Sequence, residues 1–182
     1  ELAVEKLAQW QKDGRDDLYI SVNISTKDFC YMDVYKTITS LVEKYKIVPS
    51  TLKLEITETA IMTGTAGEIE IIEQFRNYGF EVEIDDFGSG YSSLNTLKDM
   101  DVDVLKIDMG FLRTTKPEHL ERSMKILNMI ISLSKMLGLS VITEGVETEE
   151  QVVKLSQMGC GIYQGYYFSK PIPVSEFEER YM

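Results

Sequence analysis

Two hydrophobic periods take turns along this chain. Leu18, Ile20, Val22 and Ile24 alternate with Tyr19, Ser21, Asn23 and Ser25, the period of two expected of a strand with one buried face. The same alternation predicts strands over 51–57, 80–85, 102–108 and 139–144, and a short one over 161–164. Between them apolar residues recur at helical spacing. Residues 1 to about 13 carry a stripe of Leu2, Val4, Leu7, Ala8 and Trp10, and further helices are predicted over 34–45, 68–78, 92–100, 117–137 and 148–158. A last helical segment begins near Val174. Gly14, Pro49-Ser50, Gly79, Gly138 and Gly159 punctuate the pattern where helices should end.

Strands alternating with helices at this spacing imply a parallel sheet joined by right-handed crossovers. That leaves a doubly wound open sheet or a TIM-like (β/α)8 barrel, and two features favour the barrel. Conspicuous polar residues recur towards the C-terminal ends of the strands, namely Asn23, Glu55, Asp85, Lys106, Glu144 and Gln164. Barrels gather site residues from many strands at that face, whereas open sheets concentrate ligands at one switch point. Several strands are also polar along one whole face, which would bury unpaired charge against the helices of an open sheet. In a barrel lumen, Lys53 can offset a neighbouring glutamate. About six βα units are expected here, and a closed barrel needs two more strands before Glu1. With no linker or low-complexity tract, residues 1–182 read as a single domain, incomplete at its N-terminus.

The formal net charge is −11 with no basic run, which argues against a groove that tracks a DNA or RNA duplex. A small phosphate-bearing ligand neutralised by metal stays compatible. No apolar stretch is long enough to span a bilayer and no signal peptide is visible. Cys30 and Cys160 have no metal-ligand spacing and need no disulfide, so reduced thiols and a cytoplasmic setting are expected.

The chemistry centres on Asp85-Asp86, followed by Phe87-Gly88-Ser89-Gly90. Adjacent strand side chains point to opposite faces, so both aspartates serve one site only if the strand ends there, and the glycines permit that ending. Paired carboxylates repel unless a proton or cation lies between them. On the dipeptide alone, a divalent-metal site and a loop aspartate capping the next helix stand equal.

Six segments in order resemble the EAL domain family, the bacterial phosphodiesterases of cyclic di-GMP. They are Ser21-Val22-Asn23-Ile24-Ser25, then Leu54-Glu55-Ile56-Thr57-Glu58-Thr59, then Asp85 to Leu94. Leu105-Lys106-Ile107-Asp108, Glu144-Gly145-Val146-Glu147-Thr148 and Gln164-Gly165-Tyr166-Tyr167-Phe168-Ser169-Lys170-Pro171 complete the set. The resemblance implies metal-dependent hydrolysis of cyclic di-GMP to the linear dinucleotide pGpG. It implies two Mg²⁺ or Mn²⁺ ions, with Asn23, Glu55, Asp85, Asp86 and Glu144 as ligands. Lys106 and Glu144 would be catalytic, Glu58 would anchor the loop after Asp86, and Gln164, Gly165 and Pro171 would contact the nucleotide. A homodimer, and a sensor or GGDEF-type domain in the parent protein, are compatible with the family. The alternative is a non-catalytic EAL-type receptor or interaction module. Such receptors lose residues at positions matching Glu55, Asp85, Asp86, Lys106 or Glu144, and all are present here. The departure is the family's Glu-Ala-Leu strand, which Glu1-Leu2-Ala3 does not match, so impaired activity is expected of this stretch alone. Smaller departures are Met109-Gly110, Thr143 and Lys170.

Overall fold

The alternating segments of the N-terminal half become parallel neighbours. The computed structural model describes residues 1–88, 102–112 and 117–182. It divides into two units, Glu1–Lys106 and Ile107–Met182. The helix expected over 92–100 lies outside the described residues.

In the first unit β1 (Ile20–Ile24), β2 (Leu52–Thr57) and β3 (Val82–Phe87) pair in parallel, with Asn23 opposite Glu55 and Glu55 opposite Glu83. Leu54, Ile56, Val82 and Ile84 are essentially inaccessible to solvent. Fully burying such a side chain stabilises by roughly 1.5–3 kcal/mol, enough to hold the register that aims the polar alternates to the other face. Helix α1 (Leu2–Lys12) buries Val4, Leu7, Ala8 and Trp10, the stripe read from the sequence. Helices α3 (Val34–Tyr45) and α5 (Ala66–Tyr78) also fall where their periodicity puts them.

Two short helices have no counterpart in the periodic reading. α2 (Thr26–Tyr31) buries none of its residues, so there was no apolar stripe to find; it rests on a capping box in which Asp28 accepts from the Ser25 N–H at 2.8 Å. α4 (Glu58–Thr63) follows β2 directly, started by Thr57, whose hydroxyl accepts from the Ala60 N–H at 3.3 Å. β3 also lies two residues later than expected. The Phe80 N–H still bonds back to the Phe75 carbonyl, so the turn closing α5 takes up the first residues of the expected strand. β4 (Val104–Ile107) starts beside β3. The Asp103 N–H donates to the Val82 carbonyl, and the Asp103 carboxylate accepts from the Val82 N–H and the Arg76 guanidinium.

In the second unit β5 (Ser140–Thr143) and β6 (Ile162–Tyr163) pair in parallel, and the Glu144 N–H donates to the Ile107 carbonyl at 3.0 Å. Helix α6 (Pro117–Met136) buries Leu127, Ile131 and Ser134. Helix α7 (Glu149–Gln157) is capped by Thr148 and Gln151, and α8 (Val174–Tyr181) closes the chain. No helix among the described residues is long and apolar enough to cross a membrane.

Candidate functional site

The first unit gathers its charge around one lysine. Lys106, on β4, is buried, and its ammonium donates to Glu55 Oε1 at 2.6 Å and Asp85 Oδ1 at 2.8 Å. Strand periodicity explains the convergence. Glu55 and Asp85 both occupy non-core alternates of neighbouring strands, and their backbones are held in parallel register. A lone buried ammonium would cost several kcal/mol, and so would two buried carboxylates; together they are tolerated. An ammonium that donates to two carboxylates acts as a fixed positive charge rather than a base. Asn23 is exposed near the end of β1, paired in register with Glu55.

Asp86 resolves how adjacent aspartates escape strand alternation. Its φ is +56°, a left-handed conformation that side-chain-bearing residues rarely adopt and that aspartate tolerates better than most. The regular strand geometry is therefore interrupted at Asp86, inside β3, and the strand itself ends at Phe87, where the glycines begin. Gly88 follows with φ +91°, and its N–H donates to Glu58 Oε2 at 3.1 Å. Glu58, buried at the start of α4, thus binds the backbone two residues after Asp86.

One step below on the same strand faces lies a further charged group. Glu83 is fully buried, and Ser21 Oγ donates to its Oε2 at 3.0 Å. Burial pushes its carboxyl above the usual glutamate range, only partly countered by Lys53 and Ser21. Lys53 lies 2.8 Å from Glu81 and 3.6 Å from Glu83. Burial works against the Lys53 charge, but the hydrogen bond and field of Glu81 outweigh it and its pKa is raised.

The second unit supplies a cavity of about 320 Å³, lined by Glu144, Gly145, Glu147, Gln164, Gly165, Tyr166, Ser169, Lys170 and Pro171. Glu144 follows β5 and Gln164 follows β6, so two adjacent strand ends feed it. The segment after β6 folds back on the segment after β5: the Val146 N–H donates to the Gln164 carbonyl at 3.1 Å, and the Tyr167 N–H to the Val146 carbonyl at 3.0 Å. Gly165 makes that approach possible. A Cβ there would sit 2.1 Å from the Val146 carbonyl oxygen and 2.4 Å from its nitrogen. The Lys170 ammonium lies 5.8 Å from the Tyr166 ring centroid, a cation beside an aromatic face.

Of the residues singled out in the sequence, Asn23, Glu55, Glu58, Asp85, Asp86 and Lys106 lie in the first unit, with Glu55, Asp85 and Lys106 in direct contact. Glu144, Gln164, Gly165 and Pro171 line one cavity in the second. Gly145 and Glu147, part of the Glu144 to Thr148 segment but not expected as site residues, also line it. They sit in a loop, where hydrophobic periodicity carries no signal; Glu147 lies just before the Thr148 cap, and its N–H donates to Gln151 Oε1. The oxygen-only donor set of Asn23, Glu55, Asp85 and Asp86 suits a hard divalent cation. Glu55 and Asp85 each bond Lys106 through one oxygen and keep a second.

The EAL domain family matches residues 1–171. Cyclic di-GMP phosphodiesterase RocR of Pseudomonas aeruginosa is 36% identical over 142 residues, which is 78% of this chain and 36% of that protein. A solved complex of the PaMucR phosphodiesterase with c-di-GMP superposes with a TM-score of 0.88 at 34% identity, over 96% of this chain and 70% of that one. The manganese and cyclic di-GMP complex of Klebsiella pneumoniae BlrP1 gives a TM-score of 0.81 at 25% identity, over 92% and 43% of the two chains. The chain spans 21% to 36% of the length of the first curated relatives it matches. The parallel α/β arrangement of a TIM-type barrel, with six strands among the described residues alternating with helices, is therefore the fold class.

Proposed function

This chain belongs to the EAL domain family, and on that premise we propose that it hydrolyses cyclic di-GMP to pGpG with Mg²⁺ or Mn²⁺ as cofactor. The observation that carries the reading is the bridging of Glu55 and Asp85 by buried Lys106. A receptor is expected to lose residues at positions matching Glu55, Asp85, Asp86, Lys106 or Glu144, and all are present here. The names of relatives, several of them phosphodiesterases of this nucleotide, support the same substrate.

In this reading Asn23, Glu55, Asp85, Asp86 and Glu144 hold two divalent ions. Such ions lower the pKa of a water and neutralise phosphoryl oxygens. Lys106 orients Glu55 and Asp85 and presents positive charge to the phosphate. Glu58 fixes the turn after Asp86 through Gly88. Gln164, Gly165 and Pro171 bind the nucleotide, and Glu144 positions the water. The family match over 1–171 supports treating both units as one EAL-type domain.

The test is Mn²⁺- or Mg²⁺-dependent release of pGpG from cyclic di-GMP, with Asp85→Asn as control. Turnover that needs the metal and disappears in Asp85→Asn is expected. Nucleotide binding without any linear product would overturn the reading in favour of a receptor.

A further inference from the structure

We propose that Lys53 is a positioning residue for the Glu55–Lys106–Asp85 cluster, acting through the charge of Glu83. The inference rests on the functional reading only in taking Glu55 and Asp85 as metal ligands.

The polar face of the first unit holds two neighbouring charge groups. β1 offers Ser21 and then Asn23, β2 Lys53 and then Glu55, and β3 Glu83 and then Asp85, each pair two residues apart and so on one face of its strand. Glu83 stands opposite Glu55 in the strand register and two residues, roughly 6.5 Å, before Asp85, so the groups lie within electrostatic reach of each other. Towards the strand ends Lys106 sits between the outer carboxylates, Glu55 and Asp85. In the second group Glu83 has no exposed surface, its Oε1 has no hydrogen-bond partner, and Lys53 Nζ lies 3.6 Å from that oxygen. Lys53 is itself fixed from two further sides, by Glu81 at 2.8 Å and by the Tyr19 ring at 4.0 Å from its centroid.

A buried carboxylate without a counter-ion is strongly unfavourable. Lys106, the buried lysine on neighbouring β4, already serves two carboxylates. Removing the Lys53 charge therefore leaves Glu83 competing with Glu55 and Asp85 for one ammonium. Lys106 would be drawn inward, and the two outer carboxylates would lose the arrangement that presents their remaining oxygens. Lys53 has no direct contact with either outer carboxylate among the described interactions. Its influence passes through Glu83.

The test compares Lys53→Met, Lys53→Arg and the double variant Lys53→Met with Glu83→Gln in the whole chain. Three readouts are taken: the side-chain ¹⁵N signal of Lys106, Mn²⁺ binding by direct titration, and KM against kcat for cyclic di-GMP. In Lys53→Met the Lys106 signal is expected to move and Mn²⁺ affinity to fall about tenfold, the effect of disturbing groups that orient metal ligands. Lys53→Arg and the double variant should return both to the parent's values. If Lys53→Met fails to fold, the double variant, which buries no uncompensated carboxylate, still folds and binds Mn²⁺ like the parent. An unmoved Lys106 signal in Lys53→Met overturns the proposal, and so does a double variant that stays as weak as the single one or fails to fold with it. If the parent itself binds no Mn²⁺, the functional reading fails while the Lys106 signal still decides the coupling.

Discussion

The charged cluster of the first unit and the cavity of the second place polar groups by opposite means. Around Lys106 the groups stand on strands, largely out of solvent, and are fixed by ion pairs of 2.6 and 2.8 Å. Around Gly165 they stand on loops that follow β5 and β6, and backbone hydrogen bonds to Val146 set the shape. A strand face delivers rigid, preorganised charge but little variety of direction. A loop held against its neighbour delivers a concave surface, at the expense of a residue that must be glycine. The first arrangement suits cations and phosphate charge, the second the shape of a ligand.

The largest effect that would break this contrast is expected at Lys106. Lys106→Met leaves two carboxylates without their shared cation and should cost about 3 kcal/mol in chemical denaturation, besides abolishing turnover. Added Mn²⁺ should recover part of that stability, because a divalent ion can replace the ammonium as counter-charge. No recovery with metal would separate the cluster from any cation-binding role.

A smaller effect with the opposite signature is expected at Gly165. Gly165→Ala pushes a methyl group into the Val146 backbone, which cannot swing aside as a side chain would. A loss of about 1–3 kcal/mol is expected, along with weaker nucleotide binding in a calorimetric titration. Mn²⁺ binding through the carboxylates of the first unit should stay close to the parent's. Equal losses of nucleotide and Mn²⁺ binding would mean that the two regions do not divide the work.

The smallest effect concerns a charge that serves neither region. Hydrogen bonds from the Ser25 side chain and backbone hold the Asp28 carboxyl below its usual pKa. Its contribution is therefore present above the ordinary aspartate value and is lost as the pH falls through the lowered one. Asp28→Ala should cost about 0.5 kcal/mol near neutral pH. The difference from the parent should fade in acid below pH ~4, as measured by thermal melting across that range. A difference that persists in acid would place the effect in packing.

These contrasts also mark how far the chain could be read without coordinates. Periodicity located α1, α3, α5 and β2 because one face of each is apolar, and it missed α2 because that helix buries nothing. It placed the start of β3 at Phe80 because Phe80 is apolar and buried, although a turn-closing hydrogen bond keeps that residue out of the strand. The polar residues near the strand ends were visible for the same reason as the core, since alternation separates the two faces.

By itself, then, the sequence determined which residues share a strand face and that Asp85 and Asp86 needed a break in the strand to act together. Both follow from local geometry, which repeats every two residues. Only the tertiary structure decided that the break falls at Asp86, that Lys53 sits beside Glu83, and that Gly165 is needed because Val146 passes so close. Those facts depend on which distant segments meet, and contacts across the sheet and between loops leave no period in the chain.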